Sequence, residues 1–190
     1  MKHLVILLLS SNLFLLSGCS TIVGSVNEDP ITFDSQERTW GSWLDDQTIE
    51  TIAKVNINKA APELNESRIK VISFNGILLI IGQVPTQDLK DLAGSTANDI
   101  QNIRKVYNEL EVREPIDLLV QSNDSWLTTK IKTSMISNEV VNADKIKVNT
   151  EGGTVYLMGL ATPQIAQEAV AIARDTGGVQ KVVKVFEYTR

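Results

Sequence analysis

Few residues in this chain of 190 could carry chemistry. Its only cysteine is Cys19 and its only histidine is His3. Ser-His-Asp and Cys-His nucleophile systems, and the common zinc sites, need one or both of these residue types. Carboxylates alone can serve a glycosidase, but the 23 acidic residues are scattered at predicted turns and helix starts rather than paired in apolar surroundings. We therefore expect no catalytic residue, no metal site and no enzyme.

Cys19 is preceded by a segment typical of a cleaved signal. An apolar run at 4–16 follows Lys2 and is too short to span a bilayer comfortably as a permanent helix. It ends in Leu16-Ser17-Gly18-Cys19, which resembles the bacterial lipobox. The resemblance implies a signal peptide at 1–18, cleavage before Cys19 and attachment of acyl chains such as palmitate to that residue. An ordinary secretory signal with an incidental cysteine is the alternative.

The residue after the cysteine bears on localisation. Ser20 stands where an aspartate would mark retention in the inner membrane, so the resemblance implies the inner leaflet of the outer membrane, facing the periplasm. Loss of Lys2 and His3 with the signal leaves 172 residues, with 17 basic and 23 acidic side chains and a net charge of −6. A nucleic-acid partner would need a basic stripe instead. We expect no cofactor beyond the covalent lipid on Cys19.

Residues 19–44 predict a flexible lipidated tether, because they show no sustained helix or strand period. Trp40 and Trp43, near its end, are expected either to pack on the first domain or to lie at the membrane interface. From Asp45 the pattern is regular, with Asp46 suited to cap a helix that Pro62 ends. The apolar residues of this helix recur every three to four positions and so share one face: Ile49, Ile52, Ala53, Ile57 and Ala60.

A hairpin, a second helix and a third strand are predicted next. Asn75-Gly76 is a strong signal for a two-residue turn between runs rich in β-branched and aromatic residues. The predicted elements are strands Ile69–Phe74 and Ile77–Val84, a helix over about Thr86–Gln101 and a strand at Ile103–Val112.

The same order then repeats. Gly76 and Gly153 are 77 positions apart, and the spacing falls to 76 between Ile103 and Val179, which indicates one deletion in the second helix region. The second set comprises a helix starting at Asn123-Asp124, strands Ile146–Thr150 and Thr154–Leu160, a helix Pro163–Asp175 and a strand Val179–Tyr188. We predict an α+β protein with tandem α-β-β-α-β domains at 45–112 and 123–190, each a small mixed sheet packed beneath two helices.

The residues between the two domains, 113–122, form the predicted linker. It is unusually apolar for a free tether, so we expect it to pack between the domains. Its apolar residues are Ile116, Leu118, Leu119 and Val120.

The repeated unit resembles the BON family, small periplasmic domains of α-β-β-α-β order, over nearly all of 45–190. One departure is Asn102, where the family usually has glycine before the last strand; asparagine tolerates the left-handed backbone that such a turn needs. The resemblance is carried by Asp45-Asp46 and Asn123-Asp124, Ile69-Lys70-Val71 and Ile146-Lys147-Val148, the hairpin glycines, Gly82 and Gly159, and Gly177-Gly178-Val179-Gln180-Lys181-Val182.

A lipobox followed by two such domains resembles the dual BON-domain outer-membrane lipoproteins of Gram-negative bacteria. The resemblance implies a non-enzymatic role in the outer-membrane permeability barrier, with gathering at the division site. It also implies binding of anionic phospholipid through the first helix of the second domain.

That helix carries residues suited to lipid. Facing Leu127, Ile131 and Met135 toward the core leaves Trp126 and Ile136 outward. We predict that these two enter the headgroup and upper acyl region, that Lys130, with Lys132, meets phosphate, and that hydroxyl groups bond lipid oxygens. The second domain carries a charge of +1 against −3 for the first. The predicted phospholipid-binding residues are Trp126, Leu127, Thr129, Lys130, Ile131, Thr133, Ser134 and Ile136.

Two alternatives stay open. Trp126 is also suited to pack against the first domain or the linker, with Lys130 and Lys132 as ordinary solvated charges. The alternative hypothesis for the whole chain is a protein-interaction module that docks on outer-membrane assembly machinery or on regulators of septal peptidoglycan cleavage. Under that interpretation, lipid only concentrates the protein and Trp126 is dispensable for vesicle binding.

Overall fold

Two copies of one helix-strand-strand-helix-strand unit follow each other along the chain. A computed structural model describes residues 40–189, with side chains over 45–189, so the predicted signal, Cys19 and nearly all of the tether lie outside the described residues. The first copy comprises α1 (Trp40–Ala60), a short α2 (Pro62–Glu66), β1 (Arg68–Phe74), β2 (Ile77–Val84), α3 (Gln87–Asn98) and β3 (Lys105–Val112). The second comprises α4 (Leu118–Ile136), a 3-10 turn (Ala143–Lys145), β4 (Ile146–Glu151), β5 (Thr154–Ala161), α5 (Pro163–Asp175) and β6 (Lys181–Tyr188).

Each copy forms a three-stranded mixed sheet. The strand orders are β1-β2-β3 and β4-β5-β6. The first pair of each sheet is an antiparallel hairpin, and the second pair is parallel because a helix crosses between its strands. This confirms the predicted α+β fold of two tandem domains.

The first helix of each copy packs on its sheet through most of the residues that the periodicity predicted. Two residues predicted on the same face of α1 are exposed instead: Ile52, at the edge of that face, and Ala60, at the end of the helix. Ile49, Ala53 and Ile57 belong to the core of the first domain, where α1 and α3 cover the sheet. Ile131 and Met135 belong to the corresponding core beneath α4 and α5, and Leu127 is fully buried beside them.

The two sheets face each other through the surfaces that their helices leave uncovered. Residues of both domains form one buried cluster there: Ile72, Phe74, Ile77, Leu79, Ile81, Tyr156, Met158 and Val185. β2 is therefore buried on both faces, which explains its nearly continuous apolar sequence.

Polar contacts cross the interface between the domains at both of its ends. Glu151 accepts from Arg68 at 2.8 Å and lies 2.7 Å from Lys70 Nζ. Lys147 Nζ donates to the Ser73 carbonyl at 2.7 Å, and Glu187 accepts from Arg104 at 2.7 Å. These contacts orient one sheet on the other, since the apolar cluster alone has no directional preference.

Both hairpin turns use the left-handed backbone that the sequence predicted. Asn75 and Gly76 have φ of 51° and 71°, and Gly152 and Gly153 have φ of 57° and 73°. Asn102 has φ of 67°, which confirms that asparagine replaces glycine at the turn before β3.

The predicted capping role of Asp46 and the predicted helix start at Asn123-Asp124 are both wrong. Both side chains are buried within helices that begin earlier, at Trp40 and Leu118. Each carboxylate instead accepts hydrogen bonds from its hairpin turn. Asp46 binds the N–H groups of Asn75 and Gly76 at 2.8 and 3.0 Å, and Asp124 binds those of Gly152 and Gly153 at 2.7 and 2.8 Å.

The linker is shorter and less buried than predicted. Asp117 caps α4 by accepting from the Val120 N–H at 2.8 Å, so the helix takes in half of the predicted linker. Ile116 is buried and donates its N–H to Gln83, as expected for packing between the domains. Leu118 and Leu119 instead lie on the surface of the first helical turn.

Candidate functional site

The solvent-facing side of α4 is the most apolar exposed helix surface of the second domain. Four large apolar side chains lie on it: Leu118 (79% exposed), Leu119 (81%), Trp126 (54%) and Ile136 (73%). At 100° per residue these positions fall within an arc of about 120°, together with Thr129, Lys130 and Thr133. We call these seven residues the outer face of α4. It runs the whole 19-residue helix, about 27 Å at 1.5 Å per residue.

The charge on this surface is entirely positive. Asp124 is the one acidic residue between Leu118 and Ile136, and it is buried against the hairpin turn. Lys130, on the outer face, and Lys132, beside it, are exposed. An apolar stripe with cations and no exposed carboxylate suits an anionic layer over an apolar one.

Trp126 and Lys130 form a pair on this surface. The Lys130 Nζ lies 4.8 Å from the centroid of the Trp126 ring, a cation–π contact between residues one helical turn apart. The ammonium group therefore lies over the face of the indole ring. Trp126 is more than half exposed, so the first domain and linker do not enclose it.

The predicted hydroxyl groups are already engaged. Thr129 Oγ1 donates to the Ser125 carbonyl at 3.0 Å and Thr133 Oγ1 donates to the Thr129 carbonyl at 2.9 Å. With their protons used inside the helix, these oxygens are placed to accept hydrogen bonds rather than to donate them to phosphate. Ser134 is exposed beside this face.

Two of the predicted contact residues are in the core. Leu127 and Ile131 are fully buried, so they position the outer face rather than belong to it. The structure adds Leu118 and Leu119, which sequence analysis had assigned to the linker. A signal for them was present, because Leu119 lies seven residues before Trp126 and so occupies the same side of a helix.

The first domain provides an internal comparison. Counting back 78 residues, the positions of Trp126, Lys130 and Ile136 are occupied in α1 by Thr48, Ile52 and Asn58. The counterpart of Lys132 is Lys54, whose Nζ donates to the Ile69 carbonyl at 2.7 Å, and burial lowers the pKa of that amine. The aromatic-cationic pair is thus a property of the second domain and not of the fold.

Besides Lys54, two ionisable groups of the described residues have shifted pKa values, and both lie in the interface between the domains. Burial raises the pKa of Glu151, but hydrogen bonds from Arg68 and Lys70 and the charge of Lys70 outweigh it, so the net pKa lies below the ordinary value. Burial, with the nearby charges of Glu109, Glu111 and Glu151, raises the pKa of Tyr156. The Glu151 carboxylate is bound to Arg68 and Lys70 across the interface.

Over the described residues, no three or more His, Cys, Asp or Glu side chains are grouped to hold a metal ion. Within the same part of the chain, no helix is long and apolar enough to cross a bilayer.

Comparison with known proteins identifies the class. The BON domain family model matches residues 45–114 and 123–190, and the chain belongs to that family. It is 39% identical over 188 residues to the outer membrane lipoprotein DolP of Haemophilus influenzae, covering 99% of this chain and 96% of that protein. Together these findings support a dual BON-domain outer-membrane lipoprotein.

Two further relatives cover most of the chain. The 21 kDa hemolysin of Actinobacillus pleuropneumoniae is 38% identical over 153 residues, 80% of this chain and 79% of that protein. The osmotically-inducible protein Y of Escherichia coli is 25% identical over 152 residues, 78% of this chain and 75% of that protein.

Proposed function

We propose that the outer face of α4 docks on anionic phospholipid while the lipid on Cys19 tethers the protein to the outer membrane. The observation that carries the proposal is the exposed apolar stripe of α4, which has cations and no exposed acid along the helix. The corresponding helix of the first domain, α1, has no aromatic-cationic pair at these positions. A helix of this kind lies in the plane of the interface, with its apolar residues among the upper acyl chains and its cations at the headgroups.

Each part of the surface has a role in this arrangement. Trp126 suits the interfacial layer because its ring is largely apolar while its N–H needs a polar partner. Lys130, whose ammonium group lies over the indole ring, meets phosphate as the ring enters. Leu118, Leu119 and Ile136 bury apolar area at the two ends of the helix, at about 25 cal/mol per Å².

We further propose that this contact serves outer-membrane integrity from the periplasmic side, with enrichment at the division septum. A tethered protein that reads anionic lipid concentrates wherever that lipid is concentrated, without need of a protein recruiter. Loss of septal enrichment of a fluorescent fusion on replacing Trp126 with glutamate would support this step, and unchanged enrichment would contradict it.

Co-sedimentation with vesicles tests the proposal directly. A non-acylated form, residues 20–190, keeps all of the described residues, 40–189. We expect it to pellet with anionic vesicles and not with zwitterionic ones, and its Trp126→Glu variant to stay in solution. Thr48→Glu, the matched change on α1, should leave binding intact.

Binding to anionic vesicles that is unchanged in both the Trp126→Glu and the Thr48→Glu variants would contradict the proposal. It would favour the protein-interaction hypothesis, with a docking partner among outer-membrane assembly proteins or regulators of septal peptidoglycan cleavage.

A further inference from the structure

A second surface of the second domain, separate from the outer face of α4, has the shape of a binding groove. It runs between α5 and β6, the edge strand of the second sheet, with a volume of about 460 Å³. One side is a stripe along α5 at helical spacing, and the other is the helix-facing side of β6. The lining includes Pro163, Ala166, Val170 and Arg174 of α5 and Lys184 and Tyr188 of β6.

The groove is polar at one end and apolar at the other. Because α5 crosses between the parallel strands β5 and β6, it runs antiparallel to β6. Arg174 therefore lies near the start of β6, where an adjoining cavity of about 330 Å³ is lined by Arg174, Lys181 and Lys184. At the far end Pro163 meets Tyr188.

The three cations carry positive charge that no carboxylate neutralises. Within the described residues, none of Arg174, Lys181 and Lys184 forms an ion pair within 4.0 Å. Glu187 is close in sequence, but its carboxylate binds Arg104 and Asn75 of the first domain. An anion entering this end would meet cations without displacing a protein partner.

The first domain shows that the fold does not require such a groove. The position of Lys184 is taken there, 76 residues earlier, by Asn108, whose Nδ2 reaches across to α3 and donates to the Lys90 carbonyl at 2.7 Å. The counterpart of Arg174 is Asn98, which donates to the Gly94 carbonyl at 2.8 Å. In the first domain, the positions of Lys184 and Arg174 are thus held by two neutral amides, and Asn108 spans from β3 to α3. In the second domain the same region is open and cationic.

We propose that the groove between α5 and β6 binds one acyl chain of an anionic amphiphile, with its headgroup phosphate at Arg174, Lys181 and Lys184 and its chain directed toward Tyr188. The separation of charge from apolar lining matches an amphiphile, which has its charge at one end. An acidic peptide would need cations along its length, and lysines on an edge strand oppose the addition of another strand. This site takes a single molecule, whereas the outer face of α4 meets a surface.

A titration followed by backbone amide NMR tests the inference. The protein is the 20–190 form, and the probe is lauroyl lysophosphatidylglycerol below its micelle concentration. We expect saturable binding of one molecule, with shifts at α5 and β6. Two control probes are lauroyl lysophosphatidylcholine, which has the same chain and a zwitterionic headgroup, and inorganic phosphate alone. Each should bind at least about tenfold more weakly, which corresponds to about 1.4 kcal/mol of binding free energy.

Variants copied from the first domain locate the site. Lys184→Asn and Arg174→Asn together should weaken binding at least about tenfold, because two charge-assisted contacts to the phosphate are lost. Lys105→Asn removes a charge from the corresponding strand of the first domain and should have no effect. Trp126→Glu should also leave amphiphile binding at the groove unchanged. In the co-sedimentation assay, the two groove variants should still pellet with anionic vesicles.

The inference would be overturned if inorganic phosphate bound as tightly as the lysophosphatidylglycerol, or if the lysophosphatidylcholine bound as tightly. It would also be overturned if the NMR shifts were confined to α4, or if an acidic hexapeptide bound the groove more tightly than the amphiphile. Loss of amphiphile binding in the Trp126→Glu variant would also overturn it, since the ligand would then be on α4. Failure of vesicle binding with retained groove binding would instead contradict the proposed function alone.

Discussion

Asp46 and Asp124 occupy equivalent positions in the two domains and fasten the first helix of each to its hairpin. Asp124 satisfies two turn N–H groups at once, at 2.7 and 2.8 Å. Asp46 does the same in the first domain and also accepts from Ser73 Oγ at 2.7 Å. Because these partners lie about 30 residues away, local sequence could not distinguish such an aspartate from a helix cap, which has the same residue preference.

Asp124→Ala should lower the free energy of unfolding by roughly 2–4 kcal/mol, because it removes charged hydrogen bonds and leaves turn N–H groups without a partner. Urea denaturation measures this. Asp117→Ala, which removes only the exposed cap of α4, should cost about 1 kcal/mol. A smaller loss for Asp124 than for Asp117 would contradict the role assigned to the buried carboxylate.

α4 shows which features of an element its sequence predicts. The spacing of apolar residues correctly predicted the buried side and the outward position of Trp126 and Ile136. It did not predict where the helix begins. Asn123-Asp124 has the residue types preferred at a helix cap, and Pro115 favoured a longer non-helical segment before the helix. Two exposed leucines of the candidate site were therefore assigned to a linker. The groove beside α5 was not predictable, since it depends on how far the helix stands from β6.

Replacing Leu118 and Leu119 together with glutamine should weaken binding to anionic vesicles several-fold, because both side chains lose apolar area available to the bilayer. Stability should hardly change, since both are about 80% exposed. Ile52→Gln with Val55→Gln, the same change at two exposed positions of α1, is the matched control. Binding is measured by co-sedimentation across lipid concentrations. Equal binding by the two double variants would show that the first turn of α4 does not contact the membrane.

At the scale of the whole molecule, the two domains are joined by an apolar interface with ionic contacts around it. The sequence contained the apolar half of this information, because β2 is apolar at successive positions and so predicts burial on both faces. The ionic half was hidden, because Glu151 and Arg68 lie in different copies of the repeat. No local pattern marks two residues that meet only when the sheets face each other.

Glu151 makes the stability of this arrangement dependent on pH. The residue is 4% exposed, and its pKa is below the ordinary value of 4.5, since Arg68 and Lys70 hold the carboxylate charged against the effect of burial. A carboxyl with a lowered folded pKa contributes stability that is fully present above its unfolded pKa and is lost as pH falls through the folded value. We therefore expect the contribution to be complete above about pH 5 and to decline below the unfolded pKa.

Glu151→Gln should destabilise the protein at pH 7, because Arg68 and Lys70 lose their anionic partner, and the difference from the unchanged protein should shrink as the pH approaches 3. Urea unfolding at several pH values measures this. Glu111→Gln removes an exposed carboxylate paired with Arg113 at 3.3 Å and should leave the curve unchanged, since exposed pairs contribute little. A Glu151→Gln curve parallel to that of the unchanged protein down to pH 3 would mean that the carboxylate titrates alike in the folded and unfolded states. The ionic contacts would then orient the two sheets without stabilising their association.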